Sequence, residues 1–149
     1  MINDSLKLKG RVALELKDAE GNIKETREID NLVVDAGLDF IASRMEGTTS
    51  DVMSHMGLGS GTTAAAAGDT DLESLLGSRE ALDSTTVTDN VITYVSSFEA
   101  GDATGAVTEA GIFNASTAGT MLCRTVFDVV NKAADDTLQV SWSITISAS

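Results

Sequence analysis

The chain has 149 residues, a length typical of one domain that buries most of its apolar surface in a single core. The chain has ten basic and 23 acidic residues, and its formal net charge of −13 argues against nucleic acid or an anionic membrane as a partner. The single cysteine excludes an intrachain disulfide, and the polar N-terminus and short apolar runs predict a soluble chain without a signal peptide or a membrane span.

The N-terminal region predicts a β-hairpin. Apolar residues occupy alternate positions of its first strand: Leu6, Leu8, Val12, Leu14 and Leu16. This period of two indicates a half-buried strand, with Gly10 as a bend or bulge. The turn sequence DAEGN then predicts a return strand from Ile23 to Ile29. Within a single domain of residues 1–149, we interpret residues 1–10 as a candidate N-terminal arm.

Two helices are predicted in the middle of the chain. The first lies in NLVVDAGLDFIASRMEG, with Asp35 as N-cap and Gly47 just beyond its end. Its predicted buried face consists of Leu38, Ile41, Ala42 and Met45. After an alternating strand in DVMSHMGL, the segment DTDLESLLG predicts a short second helix that Asp69 or Thr70 caps and Gly77 ends.

The second half of the chain predicts one strand after another. The segments NVITYVSSFEA, GAVTEAGIFNAS and TMLCRTVFDVV are rich in β-branched and aromatic residues, and Cys123 is expected as a small buried side chain. The closing segment TLQVSWSITIS alternates strictly, with these residues facing inward: Leu138, Val140, Trp142, Ile144 and Ile146. We therefore predict a mainly β fold, an antiparallel β-sandwich or jelly-roll-like barrel with one or two short helices.

The stretch MGLGSGTTAAAAGDT raises the question of a nucleotide site. No lysine lies between Lys24 and Lys132, which excludes a P-loop. Gly59, Gly61 and Ala64 fit the dinucleotide pattern, but that motif requires a parallel βαβ unit and the following strands read as antiparallel. We therefore interpret the glycines as positions of close backbone approach before a sharp turn.

Candidate catalytic and metal-binding residues are few, and we expect no cofactor. His55 is the only histidine, and no G-x-S-x-G sequence accompanies it. Asp69, Asp71 and Glu73 alternate as in a calcium loop, but Ser74 stands where an EF-hand needs glycine. Calcium binding and helix capping both stay open for these acids. Glu99 and Glu109 are candidate carboxylates for a sugar hydrolase, although nothing in the sequence places them together.

The order of four segments over residues 31–147 resembles the small β-rich structural proteins of tailed-phage virions, of the capsid decoration or cement type. The segments are NLVVDAGLDFIASRM, the glycine–threonine stretch with the acidic residues after it, TEAGIFNASTAGTMLCRTVFD and DTLQVSWSITI. The residues that carry the resemblance are Gly57, Gly59, Gly61, Asp69, Arg79, Glu109, Gly111, Phe113, Arg124, Phe127 and Trp142. Ala65 and Ala66 occupy the region where that family often has a proline.

This resemblance implies a homo-oligomeric virion protein without enzymatic activity. It would be made in the host cytoplasm, reside on the capsid exterior, and bind the major capsid protein, copies of itself as a dimer or trimer, or both. The candidate contact residues are Leu6, Leu8, Thr62, Thr63, Ala64 and Ala65. The alternative is a tail fibre, baseplate or receptor-binding tail component, which aromatic side chains exposed at one end of the fold would favour.

Overall fold

A computed structural model describes residues 5–47 and 51–148. The fold is mainly β, as predicted, and consists of an antiparallel sheet that curls on itself. The described residues form nine strands and one helix: β1 (Leu6–Lys17), β2 (Ile23–Val33), α1 (Asp35–Glu46), β3 (His55–Gly59), β4 (Glu80–Ala81), β5 (Ser84–Thr88), β6 (Val91–Phe98), β7 (Gly105–Phe113), β8 (Met121–Lys132) and β9 (Thr137–Ala148). Their order in the sheet is β4-β3-β7-β8-β2-β1-β9-β6-β5.

Strand β2 connects two layers of this curled sheet. It pairs with β1 as far as Asn31, and its last two residues, Leu32 and Val33, pair with β8 instead. We call β2-β1-β9-β6-β5 sheet A, and β4-β3-β7-β8 with the end of β2 sheet B. Their inner faces share one hydrophobic core, to which each sheet contributes apolar side chains: Val12, Leu14, Leu138 and Trp142 from sheet A, and Met56, Leu58, Ala110 and Ile112 from sheet B.

The predicted N-terminal hairpin is present, and β2 is longer than predicted. The described part of the candidate arm is the start of β1, because Leu6 to Gly10 pair with residues 144–148 of β9; residues 1–4 lie outside the described residues. Gly10 is not a bulge, since the register with β2 is irregular only at Leu16 and Lys17. A Cβ at Gly10 would overlap the Asn31 side-chain amide, so glycine makes room for that amide.

Helix α1 has the predicted length but a different rotation. The prediction of Asp35 as N-cap is wrong, because the extended Val34 is the N-cap and Asp35 is the first helical residue. The helix ends at Glu46, and Gly47 follows it with a φ of 85°, the left-handed conformation that glycine adopts readily. The predicted inner face is wrong: Leu38 is 45% exposed and Met45 is 83% exposed. No described helix has the length and apolar character to cross a membrane.

The rotation of α1 follows from a close backbone contact. Gly37 is buried against β8, where an added Cβ would collide with the carbonyl oxygen of Leu122. Phe40 and Ile41 then point toward the shared core. The hydrophobic spacing of the helix could not reveal this, because a glycine contributes no side chain to the pattern.

Two further elements differ from the sequence analysis. The predicted helix over residues 69–77 is wrong, because this segment forms an irregular loop in which only Leu75 makes an isolated bridge, to Gly59. Strand β5 was not predicted. Its sequence STTVT lacks the large apolar residues that mark a strand, and all five of its residues are exposed.

Candidate functional site

Strand β3 has two faces with different roles. Met56 and Leu58 face the shared core, whereas Gly57 and Gly59 face outward and lie beneath the segment of residues 60–79, which we call the covering loop. A Cβ at Gly57 would lie 3.1 Å from the Leu72 side chain, and one at Gly59 would lie 2.5 Å from a backbone oxygen. The glycines therefore permit close backbone approach, as we expected.

The covering loop returns to β3 and pairs with it. The N–H group of Leu76 donates to the carbonyl oxygen of Leu58 at 2.8 Å, and the N–H group of Ser60 donates to the carbonyl oxygen of Ser74 at 2.8 Å. The two ends of the loop are thereby held together. The loop's own Leu72 packs with Phe113 and Met121 on the outer face of sheet B, in a small second core.

A fully buried carboxylate, that of Glu109 on β7, holds the covering loop from below. Its Oε2 accepts the backbone N–H groups of Gly61 at 2.7 Å and Ser74 at 2.8 Å, and its Oε1 accepts that of Glu73 at 2.8 Å. A charged acceptor that binds several N–H groups at once fixes the backbone on both sides of the loop. These N–H groups are consequently used within the protein and do not form a phosphate cradle.

The buried guanidinium of Arg124 on β8 completes this arrangement. Its Nε donates to Glu109 Oε1 at 3.1 Å, its Nη1 to Asp69 Oδ2 at 2.9 Å, and its Nη2 to the carbonyl oxygen of Thr63 at 3.1 Å. We call Asp69, Glu109 and Arg124 the clasp. The side chains of Arg124 and Glu109 are 3% and 0% exposed, so the ion pair is screened from solvent.

Two carboxylates of the covering loop, those of Asp69 and Glu73, favour their ionised forms. The pKa of Asp69 is lowered by a hydrogen bond from the Ala66 N–H group and by the Arg124 guanidinium, against the opposing effect of burial. The pKa of Glu73 is lowered by hydrogen bonds from the Thr63 side chain and from the Thr62 N–H group. Both acids therefore stabilise the loop while they are ionised.

Arg79 fastens the far end of the covering loop. Its guanidinium lies 3.5 Å from the centre of the Phe113 ring, a cation–π contact, and its Nη1 donates to the carbonyl oxygens of Ala115 and Ala118 at 2.9 and 2.8 Å. Gly111, opposite Gly57 in the sheet, leaves room for Leu72 beside this ring.

The structure thus brings together nine of the eleven residues that carry the family resemblance. Gly57, Gly59, Gly61, Asp69, Arg79, Glu109, Gly111, Phe113 and Arg124 all lie within the covering loop or beneath it. The other two lie elsewhere. Trp142 is buried in the shared core, and Phe127 is half-buried on β8. Cys123 is also buried in the shared core, which raises the pKa of its thiol.

The acids considered for metal binding or catalysis have separate partners. Asp69 binds Arg124, Asp71 binds Arg79 and Glu73 binds loop N–H groups. Over residues 5–47 and 51–148, no three His, Cys, Asp or Glu side chains are placed to hold a metal ion. Glu99 accepts a hydrogen bond from Thr137, which is not among the hydrogen-bond partners of Glu109. His55 binds the neighbouring Ser54 hydroxyl through Nδ1 at 2.8 Å.

Next to the clasp, the covering loop presents a short run of small uncharged residues to solvent. Thr62, Thr63 and Ala64 are exposed and Ala65 is half-buried, all within four residues of the Gly61 N–H group that Glu109 binds. The groove beside them has a volume of about 330 Å³ and is lined by Asp30, Asn31, Leu32, Thr62, Ala64, Ala65, Arg124, Thr125 and Val126.

The contacts between these residues were not predicted from the sequence. Glu109 was considered as part of the resemblance and as a candidate catalytic carboxylate, and Arg124 as part of the resemblance alone. Both are charged residues within apolar stretches of successive strands, AVTEAGIF and MLCRTVF, and such a pair signals a buried ion pair. The backbone partners Ser74 and Thr63 left no signal in the sequence. Comparison with protein-family models, with curated proteins and with solved structures gives no significant match for this chain.

Proposed function

We propose that this chain is a structural protein of a tailed-phage virion that binds the exterior of the capsid and stabilises it. The observation that carries the proposal is the covering loop, which the clasp holds in place. A buried ion pair and four main-chain hydrogen bonds to carboxylates hold residues 62–68, which we call the Thr–Ala segment, in a fixed conformation. A contact surface that is already ordered loses little conformational entropy when it binds another protein.

The character of this surface also supports a protein partner. Residues 62–68 carry no charge and no large side chain, so another backbone can approach closely. Beside them, Leu32 is 37% exposed in a groove that is otherwise lined by small and polar residues. The net charge of −13 is compatible with a position outside the capsid, away from the packaged DNA.

The tail alternative receives less support. Aromatic side chains exposed at one end of the fold would favour a tail component. In the described residues, however, the four phenylalanines, the tyrosine and the tryptophan are all buried or half-buried. We therefore expect the chain on the capsid rather than the tail, with the Thr–Ala segment against the coat protein or a neighbouring copy.

Co-sedimentation with purified virion parts tests this proposal. The full-length chain is mixed separately with capsids and with tails of the phage that encodes it, both prepared without the chain. We expect saturable binding to capsids, and we expect Ala64→Lys to weaken it at least about tenfold, because a charged side chain would be desolvated in the contact. Thr117→Lys, in the exposed β7–β8 turn, is the matched control and should bind as the unmodified chain does.

Three results would contradict the proposal in different ways. Absence of capsid binding by the full-length chain rejects the decoration function. Binding to tails alone supports the tail alternative. Capsid binding that Ala64→Lys leaves unchanged retains the function but removes the Thr–Ala segment from the contact.

A further inference from the structure

A cavity lies between helix α1 and the inner face of sheet A. Its volume of about 330 Å³ falls within the range of small-molecule pockets in proteins. Helix α1 and the segment before β3 line one side of it, and strands β5 and β6 line the other. The lining residues are Phe40, Arg44, Val52, Met53, Thr85, Ile92 and Tyr94. None of these residues belongs to the covering loop, so the cavity is a separate site from the clasp.

The inner face of sheet A forms the floor of the cavity. Ile92 and Tyr94 alternate on β6 and pack in the shared core, and Thr85 on β5 lies directly opposite Tyr94. Residues that are opposite each other in antiparallel strands share one face of the sheet. Phe40 and Arg44 are four residues apart on α1, so they project from the same face of the helix. The helix therefore contributes one aromatic and one cationic side chain to the cavity wall.

The hydroxyl group of Tyr94 has no partner at this wall. Tyr94 is only 6% exposed, and within residues 5–47 and 51–148 no hydrogen bond reaches its hydroxyl. The hydroxyl is not sealed in the core, unlike the unpartnered Nε1 of Trp142. Burial raises the pKa of Tyr94 to about 12, so the group keeps its proton at neutral pH and can donate it. Because buried tyrosine hydroxyls usually have a partner, this one is suited to an acceptor that a ligand supplies.

The charge of the cavity favours an anion. The chain has a net charge of −13, yet none of the described lining residues is acidic, and Arg44 is a cation. A guanidinium group has five N–H donors and matches the planar geometry of a carboxylate. Phe40, Met53 and Ile92 pack against or within the shared core and supply apolar surface beside it. The lining is therefore complementary to a carboxylate that carries an apolar body.

We propose that this cavity binds a small monocarboxylate with an apolar body, of the size of a medium-chain fatty acid. The carboxylate accepts a hydrogen bond from the Tyr94 hydroxyl and pairs with the Arg44 guanidinium. The apolar body packs on Phe40, Met53 and Ile92. This inference depends on the cavity alone and not on the proposed virion function.

Titration of the isotope-labelled full-length chain with octanoate, followed by NMR, tests the proposal. We expect saturable shifts with a dissociation constant on the order of 0.1–1 mM, as for a small ligand with few contacts. The amides of Thr85, Ile92 and Tyr94 should shift most. Octan-1-ol has the same chain without the charge, and acetate has the charge without the chain. Each should bind at least about tenfold more weakly than octanoate.

The variant Tyr94→Phe separates binding from stability. It keeps the buried ring and removes only a hydroxyl without a partner among the described residues, so the melting temperature should stay the same or rise slightly. Octanoate should nevertheless bind at least about fivefold more weakly, because the carboxylate loses a donor.

The variant Arg44→Gln tests the recognition of charge. It should weaken octanoate binding at least about tenfold and leave octan-1-ol binding unchanged. Arg11→Gln removes the same charge from an exposed ion pair with Glu28 and is the matched control, which should bind octanoate as the unmodified chain does.

Four results would overturn the proposal. The first is the absence of saturable octanoate shifts up to about 10 mM. The second is octanoate binding that Tyr94→Phe or Arg44→Gln leaves unchanged. The third is octan-1-ol binding as tight as that of octanoate, because the site would then not recognise the carboxylate. The fourth is a large fall in the melting temperature of Tyr94→Phe, because the hydroxyl would then have a partner inside the protein.

Discussion

Replacing Glu109 with glutamine should release the covering loop and destabilise the whole fold. The substitution keeps the size of the side chain but removes its charge, leaving Arg124 buried beside an amide. That amide also turns an NH₂ group toward main-chain N–H groups that now donate to a carboxylate oxygen. Removing one partner from a buried ion pair costs about 3–5 kcal/mol, and the lower end of this range applies because Arg124 keeps its 2.9 Å bond to Asp69. For a chain of this length, about 3 kcal/mol is a fall in melting temperature of roughly 6–12 °C.

Urea and thermal unfolding at neutral pH measure this effect, and Asp71→Asn is the control. The Asp71 carboxylate pairs with Arg79 at 3.4 Å but is 65% exposed, so its loss should cost less than about 1 kcal/mol. The double variant Glu109→Gln, Arg124→Met should lose less stability than the sum of its single variants, because each single change already breaks the pair. If Glu109→Gln is no more destabilising than Asp71→Asn, the clasp does not hold the loop.

Three further predictions concern single positions. Gly37→Ala should destabilise the fold by about 2 kcal/mol or more in urea unfolding, because its Cβ would meet the Leu122 carbonyl, whereas Gly68→Ala, with open space around it, should be nearly neutral. The folded-state pKa of Asp69 lies below its usual 3.8, so its contribution is complete above that pH and is lost as pH falls through the folded value. Asp69→Asn should therefore make acid unfolding below about pH 4 less steep, and an unchanged curve would contradict the ion pair. Cys123, buried with a raised pKa, should react with a thiol reagent only as fast as the protein unfolds, and fast labelling of the native chain would refute its burial.

The strands that face solvent on one side could be predicted from the sequence. In β9, Leu138, Val140, Trp142 and Ile144 are buried, and polar residues alternate with them, as the pattern indicates. The same pattern is wrong for Ile146, which is 37% exposed near the end of the strand. Strand β3 gave a weaker signal because the covering loop buries its outer face as well. Its glycines nevertheless indicated close backbone approach, which the structure confirms.

The site itself could not be assembled from the sequence, because its contacts join residues that are far apart along the chain. Gly61 binds Glu109 across 48 positions, and Asp69 binds Arg124 across 55. These contacts also explain why the helix predicted over residues 69–77 is wrong. The N–H groups of Glu73 and Ser74 bind the Glu109 carboxylate rather than carbonyl groups one helical turn earlier.

The central claim of the proposed function is that the covering loop, held by the clasp, is a preformed contact surface on the capsid exterior. Electron cryomicroscopy of purified virions that contain the chain tests it most directly. We predict density for the chain at regularly repeated positions over the capsomers, with residues 62–68 against the coat protein or a neighbouring copy. Density confined to the tail or to one vertex, or a Thr–Ala segment that faces open solvent in every copy, would contradict the claim.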